Sequence, residues 1–197
     1  MSLISAAADV LVLLKQEGVE GCLVGGLAVS VYCDPRFTRD VDLAIAVDND
    51  ERAELLMQSL VKRGFQIAAV VEQEAVERLA MTRLLNADGT SIDLLVASSG
   101  VEAEIVKDAQ RLEVVQGTVL PVARIGHLIA LKLLSVSPGR ETDHQDLRNL
   151  ADIADADEWA RSTRAVELIE ERGYARGRNL SADLKALRKR GRDSAID

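Results

Sequence analysis

The sequence predicts an α+β fold, a mixed β-sheet flanked by helices and followed by a helical C-terminal region. As far as residue 122, short apolar runs typical of strands alternate with segments of helical periodicity. From Arg124 onward the apolar residues recur only at helical spacing, with breaks near residues 137–139, 155 and 172–173. We therefore expect a sheet domain over residues 1–122 and, packed on it, a helical region with a basic tail over residues 123–197.

Glycines mark the ends of several predicted elements. Leu3, Val10 and Leu14 share one face of a helix predicted over residues 3–17, which ends at Gly18. The other elements of the sheet domain are strand 20–24, helix 27–33, strand 39–47, helix 50–63, strand 65–72, a hairpin turning at 87–90, helix 101–109 and a hairpin turning at Gly117.

Composition narrows the class of protein. A hydrophobic content of 48% in 197 residues allows a substantial core. The aromatic share of 3% argues against aromatic stacking platforms for single-stranded nucleic acid, and a net charge of −8 argues against a generally basic surface for polynucleotides.

The sequence also favours a cytoplasmic protein with no membrane partner. Cys22 and Cys33 lack metal-type spacing, and we interpret them as reduced packing residues. The apolar N-terminal run is interrupted by Asp9 and has no basic segment before it, which is typical of a helix and not of a secretion signal. No apolar run approaches membrane-spanning length.

Two carboxylates lie one residue apart in the segment TRDVDLAIAV. On a strand, Asp40 and Asp42 point to one face while Val41 and Leu43 point to the other. Two crowded anions on a half-buried strand repel each other and lose hydration, so a fold keeps them where a cation or strong donors compensate. The pair therefore predicts a divalent metal, Mg²⁺ or alternatively Mn²⁺. The competing interpretation is a solvated edge strand whose acids bind nothing.

A glycine pair precedes these carboxylates by fourteen positions. Gly25 and Gly26 close the apolar run CLV and open a predicted helix, an arrangement in which free backbone N–H groups hold phosphate. By itself, a tight turn required for packing explains the pair equally well. Metal and phosphate together indicate nucleotide chemistry.

The motif resembles that of the nucleotidyltransferase superfamily, in which Gly-Gly precedes hDhDh, with h apolar, and a third carboxylate follows on a later strand. The third carboxylate here is Asp93, in TSIDLLVA. Residues 21–47 are most similar to the small bacterial group that includes the nucleotidyltransferase-type toxins of abortive-infection systems, and less similar to the antibiotic nucleotidyltransferases. The resemblance implies that Asp40, Asp42 and Asp93 are catalytic metal ligands. It also implies that the glycine pair anchors a triphosphate.

The helical region carries a lysine where an apolar residue is expected. In RIGHLIALKLLSV, Lys132 lies at the centre of an apolar stripe, so it must snorkel or meet an anion. The following R-x-x-D-x-x-D-L resembles the pattern that completes the nucleotide cleft in the toxin-like group. That resemblance implies nucleotide-binding roles for Lys132 and Asp146, with Arg140 and Asp143 as further candidates. A structural ion pair between Lys132 and either aspartate explains the pattern equally well.

The remaining arginines, histidines and basic residues predict less specific roles than the aspartates and Lys132. Arg36 and Arg39 flank the acidic pair; we expect Arg39 to hold phosphate and Arg36 to lie in a solvated loop. His127 and His144 are too few and too separated to predict a zinc site. The basic segment 172–192 predicts a solvated terminal helix, the alternative being a patch for RNA or an acidic partner.

These expectations combine into one function. We expect a metal-dependent nucleotidyltransferase that moves an NMP from an NTP to a hydroxyl acceptor and releases pyrophosphate, as a toxin-like component. The acceptor could be a tRNA, a protein or a small molecule, and an antitoxin is a further candidate partner. The alternative is a catalytically inactive protein that binds a nucleotide or takes part in a toxin–antitoxin interaction. The cleft is expected between the three aspartates and the helix that bears Lys132.

Overall fold

The computed structural model describes residues 2–137, 139 and 141–193, and it has the predicted α+β architecture. The described strands are β1 (Glu20–Val24), β2 (Asp40–Ala46), β3 (Gln66–Gln73), β4 (Arg78–Leu85), β5 (Ser91–Leu95), β6 (Gln110–Val115) and β7 (Thr118–Val122). The described helices are α1 (Leu3–Gln16), α2 (Gly25–Tyr32), α3 (Asp50–Lys62), α4 (Glu102–Asp108), α5 (Ile125–Ser135), α6 (Glu141–Ile153), α7 (Ala156–Glu171) and α8 (Leu180–Asp193).

The strands form one mixed sheet in the order β3-β4-β5-β2-β1-β7-β6. The pairs β2–β5 and β1–β7 are parallel, and the other neighbouring pairs are antiparallel. The inner strands β1, β2 and β5 are therefore held on both sides, which makes them a rigid support for side chains at their ends.

Burial over the first four residues of β2 follows the predicted alternation, and Ala44 and Ile45 are buried as well. Val41 and Leu43 are fully buried, while Asp40 and Asp42 are half-buried on the opposite face. The fully buried Leu14 of α1 and Leu56 of α3 belong to the same apolar core. Burial of these side chains stabilises the sheet by roughly 1.5–3 kcal/mol for each large residue. This stabilisation offsets the repulsion between the carboxylates on the opposite face of β2.

The helices after β7 pack closely on one another. Gly126 lets α5 approach α7, because a Cβ at this position would lie 2.4 Å from the carbonyl oxygen of Glu158. The Gly126 N–H also donates to the Glu158 carboxylate at 2.7 Å. Among the described residues, no helix is both long and apolar enough to cross a membrane.

Candidate active site

The sheet register brings the three predicted aspartates together. Asp42 of β2 lies opposite Val24, the last residue of β1, and beside Asp93 of the parallel strand β5. Residues in register on neighbouring strands point to the same face. Asp40, two residues before Asp42, shares that face as well.

The glycine turn lies directly against this carboxylate group. Gly25 has a φ of +63°, which L side chains rarely adopt, and a Cβ there would lie 2.0 Å from Oδ2 of Asp42. Glycine is therefore required at this position for both backbone and space. Helix α2 begins at Gly25, two residues earlier than expected, so the glycine pair forms its first turn.

Asp42 is an anion in an unfavourable environment. Burial, together with the nearby Asp93 carboxylate, raises the pKa of Asp42 to about 6, although Lys132 and the Gly26 N–H oppose the rise. The positive charge near this carboxylate does not fully compensate its ionised form. A carboxylate in such an environment is expected to bind a cation.

The third carboxylate has a protein partner that sequence analysis missed. Arg83 of β4 lies opposite Asp93 and donates Nε–H and Nη2–H to its two oxygens, both at 2.7 Å. The pKa of Arg83 is raised further by this bidentate contact. Because the Asp93 side chain is nearly buried, little water can solvate its carboxylate. The Arg83 guanidinium compensates the negative charge instead.

The donor chemistry of the acidic pair fits the expected metal. Carboxylate oxygens are the ligands that Mg²⁺ and Mn²⁺ prefer, and Asp40 and Asp42 line one cavity. Asp93 fits less directly, because Arg83 holds its carboxylate. Within the described part of the chain, no group of three or more His, Cys, Asp or Glu side chains is placed to share a metal ion.

Lys132 meets anions from the next helix. Its Nζ lies 2.7 Å from Oδ1 of Asp143 and 2.8 Å from Oδ2 of Asp146, and all three side chains are buried. Asp146 also accepts two hydrogen bonds of 2.7 Å from Arg36. The contacts favour the structural ion pair, the second of the two interpretations of Lys132, and they give Asp146 a supporting place behind the cavity.

A cavity of about 310 Å³ joins the glycine turn to the helical region. The polar and glycine residues in its wall are Gly25, Gly26, Arg36, Thr38, Asp40, Asp42, Ser98, Ser99, Lys132, Ser135, Asp143 and Arg176. A larger cavity of about 940 Å³ lies between α3 and the β3–β4 hairpin, but none of the predicted site residues lines it. The smaller cavity is the candidate active site because the predicted chemistry converges there.

The two arginines that precede the acidic pair differ from their expected positions. Arg36 lies in the cavity wall and not in a solvated loop, since Asp146 holds its guanidinium. Arg39 is exposed and its guanidinium packs 5.7 Å from the centre of the Phe37 ring, outside the cavity lining. Arg140 lies outside the described residues.

The structure also shows where the two histidines and the basic segment 172–192 lie. Burial lowers the pKa of His127 to about 4, and His144 is exposed on another helix. The basic segment is only in part a terminal helix, because residues 172–179 form a loop against the segment that follows β5 before α8 begins. The sequence carried no signal for this contact, since it joins residues far apart in the chain.

Comparison with known proteins agrees with the fold and the motif. The profile of the family described as nucleotidyl transferase AbiEii toxin, type IV TA system, matches residues 22–197. No curated protein sequence matches the chain.

Three solved structures illustrate the similarity of this chain to known proteins. An antigenic nucleotidyltransferase-like protein from Paracoccidioides brasiliensis has 20% identity and a TM-score of 0.53, covering 93% of this chain and 92% of its own. The lincosamide antibiotic adenylyltransferase LnuA, bound to lincomycin, has 17% identity and a TM-score of 0.48 over 75% of this chain and 96% of its own. JHP933 from Helicobacter pylori has 15% identity and a TM-score of 0.45 over 98% and 94%.

The first of these similarities indicates the nucleotidyltransferase fold, and the family profile covers nearly the whole chain, including the glycine turn, the three aspartates and the Lys132 cluster. The expected superfamily is confirmed. The chain belongs to the AbiEii family of nucleotidyl transferase toxins of type IV toxin–antitoxin systems.

Proposed function

We propose that this protein transfers an NMP from an NTP to a hydroxyl acceptor, with Mg²⁺ or Mn²⁺ as its cofactor. One observation carries the proposal: the glycine turn, the Asp40–Asp42 pair and cationic side chains line the same cavity. Phosphate-binding backbone, carboxylates suited to a metal and positive charge are the parts that phosphoryl-type transfer requires.

In this proposal Asp40 and Asp42 would hold the metal, which when bound would supply positive charge to the phosphates. The N–H groups at the start of α2 bind the triphosphate, because the helix N-terminus is electropositive and its glycine pair lines the cavity. The raised pKa of Asp42 makes its binding of a cation dependent on pH near neutrality.

Asp93 is proposed to serve the acceptor side. It lies in register with Asp42 on the strand that continues the acidic face. There it can accept the proton of the attacking hydroxyl once its contact with Arg83 loosens. The leaving pyrophosphate takes the electron pair of the broken P–O bond, and the cations of the cavity wall stabilise it.

A second candidate is an inactive protein that binds a nucleotide or an antitoxin without chemistry. The bidentate Arg83–Asp93 contact favours it, since it occupies the third carboxylate. An inactive protein that binds a nucleotide differs from the first candidate in turnover and not in nucleotide binding.

Incubation of the protein with each of the four labelled NTPs, Mg²⁺ and either total RNA, a protein lysate or candidate small molecules tests the proposal. We expect transfer of label to one acceptor class and no transfer by Asp42→Asn. Arg164→Met, a change on an exposed face of α7, is the matched control that should retain activity. Nucleotide binding without transfer to any acceptor supports the inactive candidate.

A further inference from the structure

We propose that Arg176 is the side chain that binds the triphosphate of the nucleotide, in the place that sequence analysis gave to Lys132. The inference rests on the proposed function, because it concerns the substrate of the same cavity. Arg176 belongs to the loop between α7 and α8, and it lies in the cavity wall with the glycine turn and the acidic pair.

The charges of the cavity wall lead to this assignment. Lys132 is bound by two carboxylates and Arg36 is bound by one, so little of their charge is left for a ligand. Arg176 donates instead to the carbonyl oxygen of Ser98 at 3.1 Å and to its hydroxyl at 3.5 Å. Within the described residues, no carboxylate forms an ion pair with this exposed side chain, so its charge is not compensated by an anion of the protein.

The loop is fixed at several points around this arginine. On one side Arg172 donates to the Gly100 carbonyl oxygen and contacts Glu104 at 2.6 Å. The Tyr174 ring packs against Gly100, where a Cβ would lie 2.4 Å from the ring. On the other side Arg178 donates to the carbonyl oxygen of Leu133 at 2.6 Å. These anchors join the loop to the segment between β5 and α4, to α4 itself and to α5.

The backbone of Arg176 is unusual in a way that fits a binding role. Its φ is +55°, a left-handed conformation that is unfavourable for a side chain with a Cβ. Such conformations persist where the surrounding structure enforces them, and they cluster at ligand-binding positions. Glycine would satisfy this backbone better, so the presence of arginine points to a requirement for its side chain.

The other two arginines of the loop do not share these properties. Arg172 contacts Glu104 and Arg178 contacts Asp183 at 2.9 Å, and neither lines the cavity. They hold the loop, whereas Arg176 presents a guanidinium, which suits the bidentate binding of phosphate oxygens.

Calorimetric titration with MgATP, MgCTP, MgGTP and MgUTP, and with the corresponding nucleoside monophosphates, tests the assignment. A charge-assisted contact predicts that Arg176→Met weakens binding of the preferred triphosphate about tenfold or more, with a much smaller effect on the monophosphate. Arg164→Met, with the same charge change on an exposed face, should bind as the wild type does.

Arg176→Gly keeps the test independent of folding, because glycine adopts the left-handed backbone readily. We expect it to fold normally and to lose triphosphate affinity as Arg176→Met does. Wild-type affinity in both variants would overturn the assignment and leave the proposed function in place. A wild-type protein that binds none of the four nucleotides would overturn both.

Discussion

Replacing Lys132 by methionine separates its two interpretations, because methionine keeps the packed stem and removes only the charge. The change leaves Asp143 and Asp146 buried without the ammonium group that contacts each of them within 2.8 Å. Removing one partner of a buried ion pair costs about 3–5 kcal/mol. Arg36 still binds Asp146, so we expect a value near the lower limit, about 3 kcal/mol.

For a chain of this size each kcal/mol lowers the Tm by about 2–4 °C, which predicts a decrease of about 6–12 °C. Urea unfolding and thermal melts measure it, with the exposed Lys185→Met as the control. The double variant Lys132→Met, Asp143→Asn should recover part of the loss, because it removes an anion together with its cation. An unchanged Tm for Lys132→Met, combined with a strong loss of triphosphate affinity, would refute the structural interpretation.

Two further predictions concern the acidic face. Because the pKa of Asp42 rises from 3.8 unfolded to about 6 folded, its ionised form destabilises the fold fully above pH 6, and the penalty disappears as pH falls toward 3.8. Asp42→Asn should therefore raise the free energy of unfolding by about 1–3 kcal/mol at pH 7.5 and change little at pH 4; urea unfolding at both pH values checks this, and a gain independent of pH contradicts it. Gly25→Ala should lower the Tm much more than Gly26→Ala, because its Cβ meets the Asp42 carboxylate at 2.0 Å with φ at +63°, whereas at Gly26 the nearest atom, 2.8 Å away, is the end of the flexible Arg36 side chain. Equal melting temperatures for the two alanine variants would show that the turn is less constrained than its geometry indicates.

Much of the secondary structure could be predicted because local signals mark it. Glycines and apolar periodicity placed β1, α3 and the helices α5 to α7 within a few residues of their observed ends. The alternation of Asp40 and Asp42 with buried residues is a property of any strand, so their common face was predictable as well.

The partners of the charged residues could not be predicted in the same way. Arg83 reaches Asp93 through the pairing of β4 with β5, and Arg36 reaches Asp146 across 110 residues. A single arginine in a strand or loop has the same local sequence pattern whether it is solvated or paired. For this reason the sequence predicted a solvated Arg36 and a nucleotide-binding Arg39. The place of Arg176 depends on contacts between the last helices and the end of β5, which no local periodicity encodes.

The position of the label after reaction tests the central claim most directly. The protein is incubated with Mg²⁺, an acceptor mixture and the preferred NTP, labelled in parallel samples at the α- or the γ-phosphate. The proposed transfer predicts that α-label becomes attached to the acceptor while γ-label is released as pyrophosphate, and that Asp42→Asn does neither. Attachment of the γ-label, or release of inorganic phosphate without attachment of the α-label, would contradict nucleotidyl transfer.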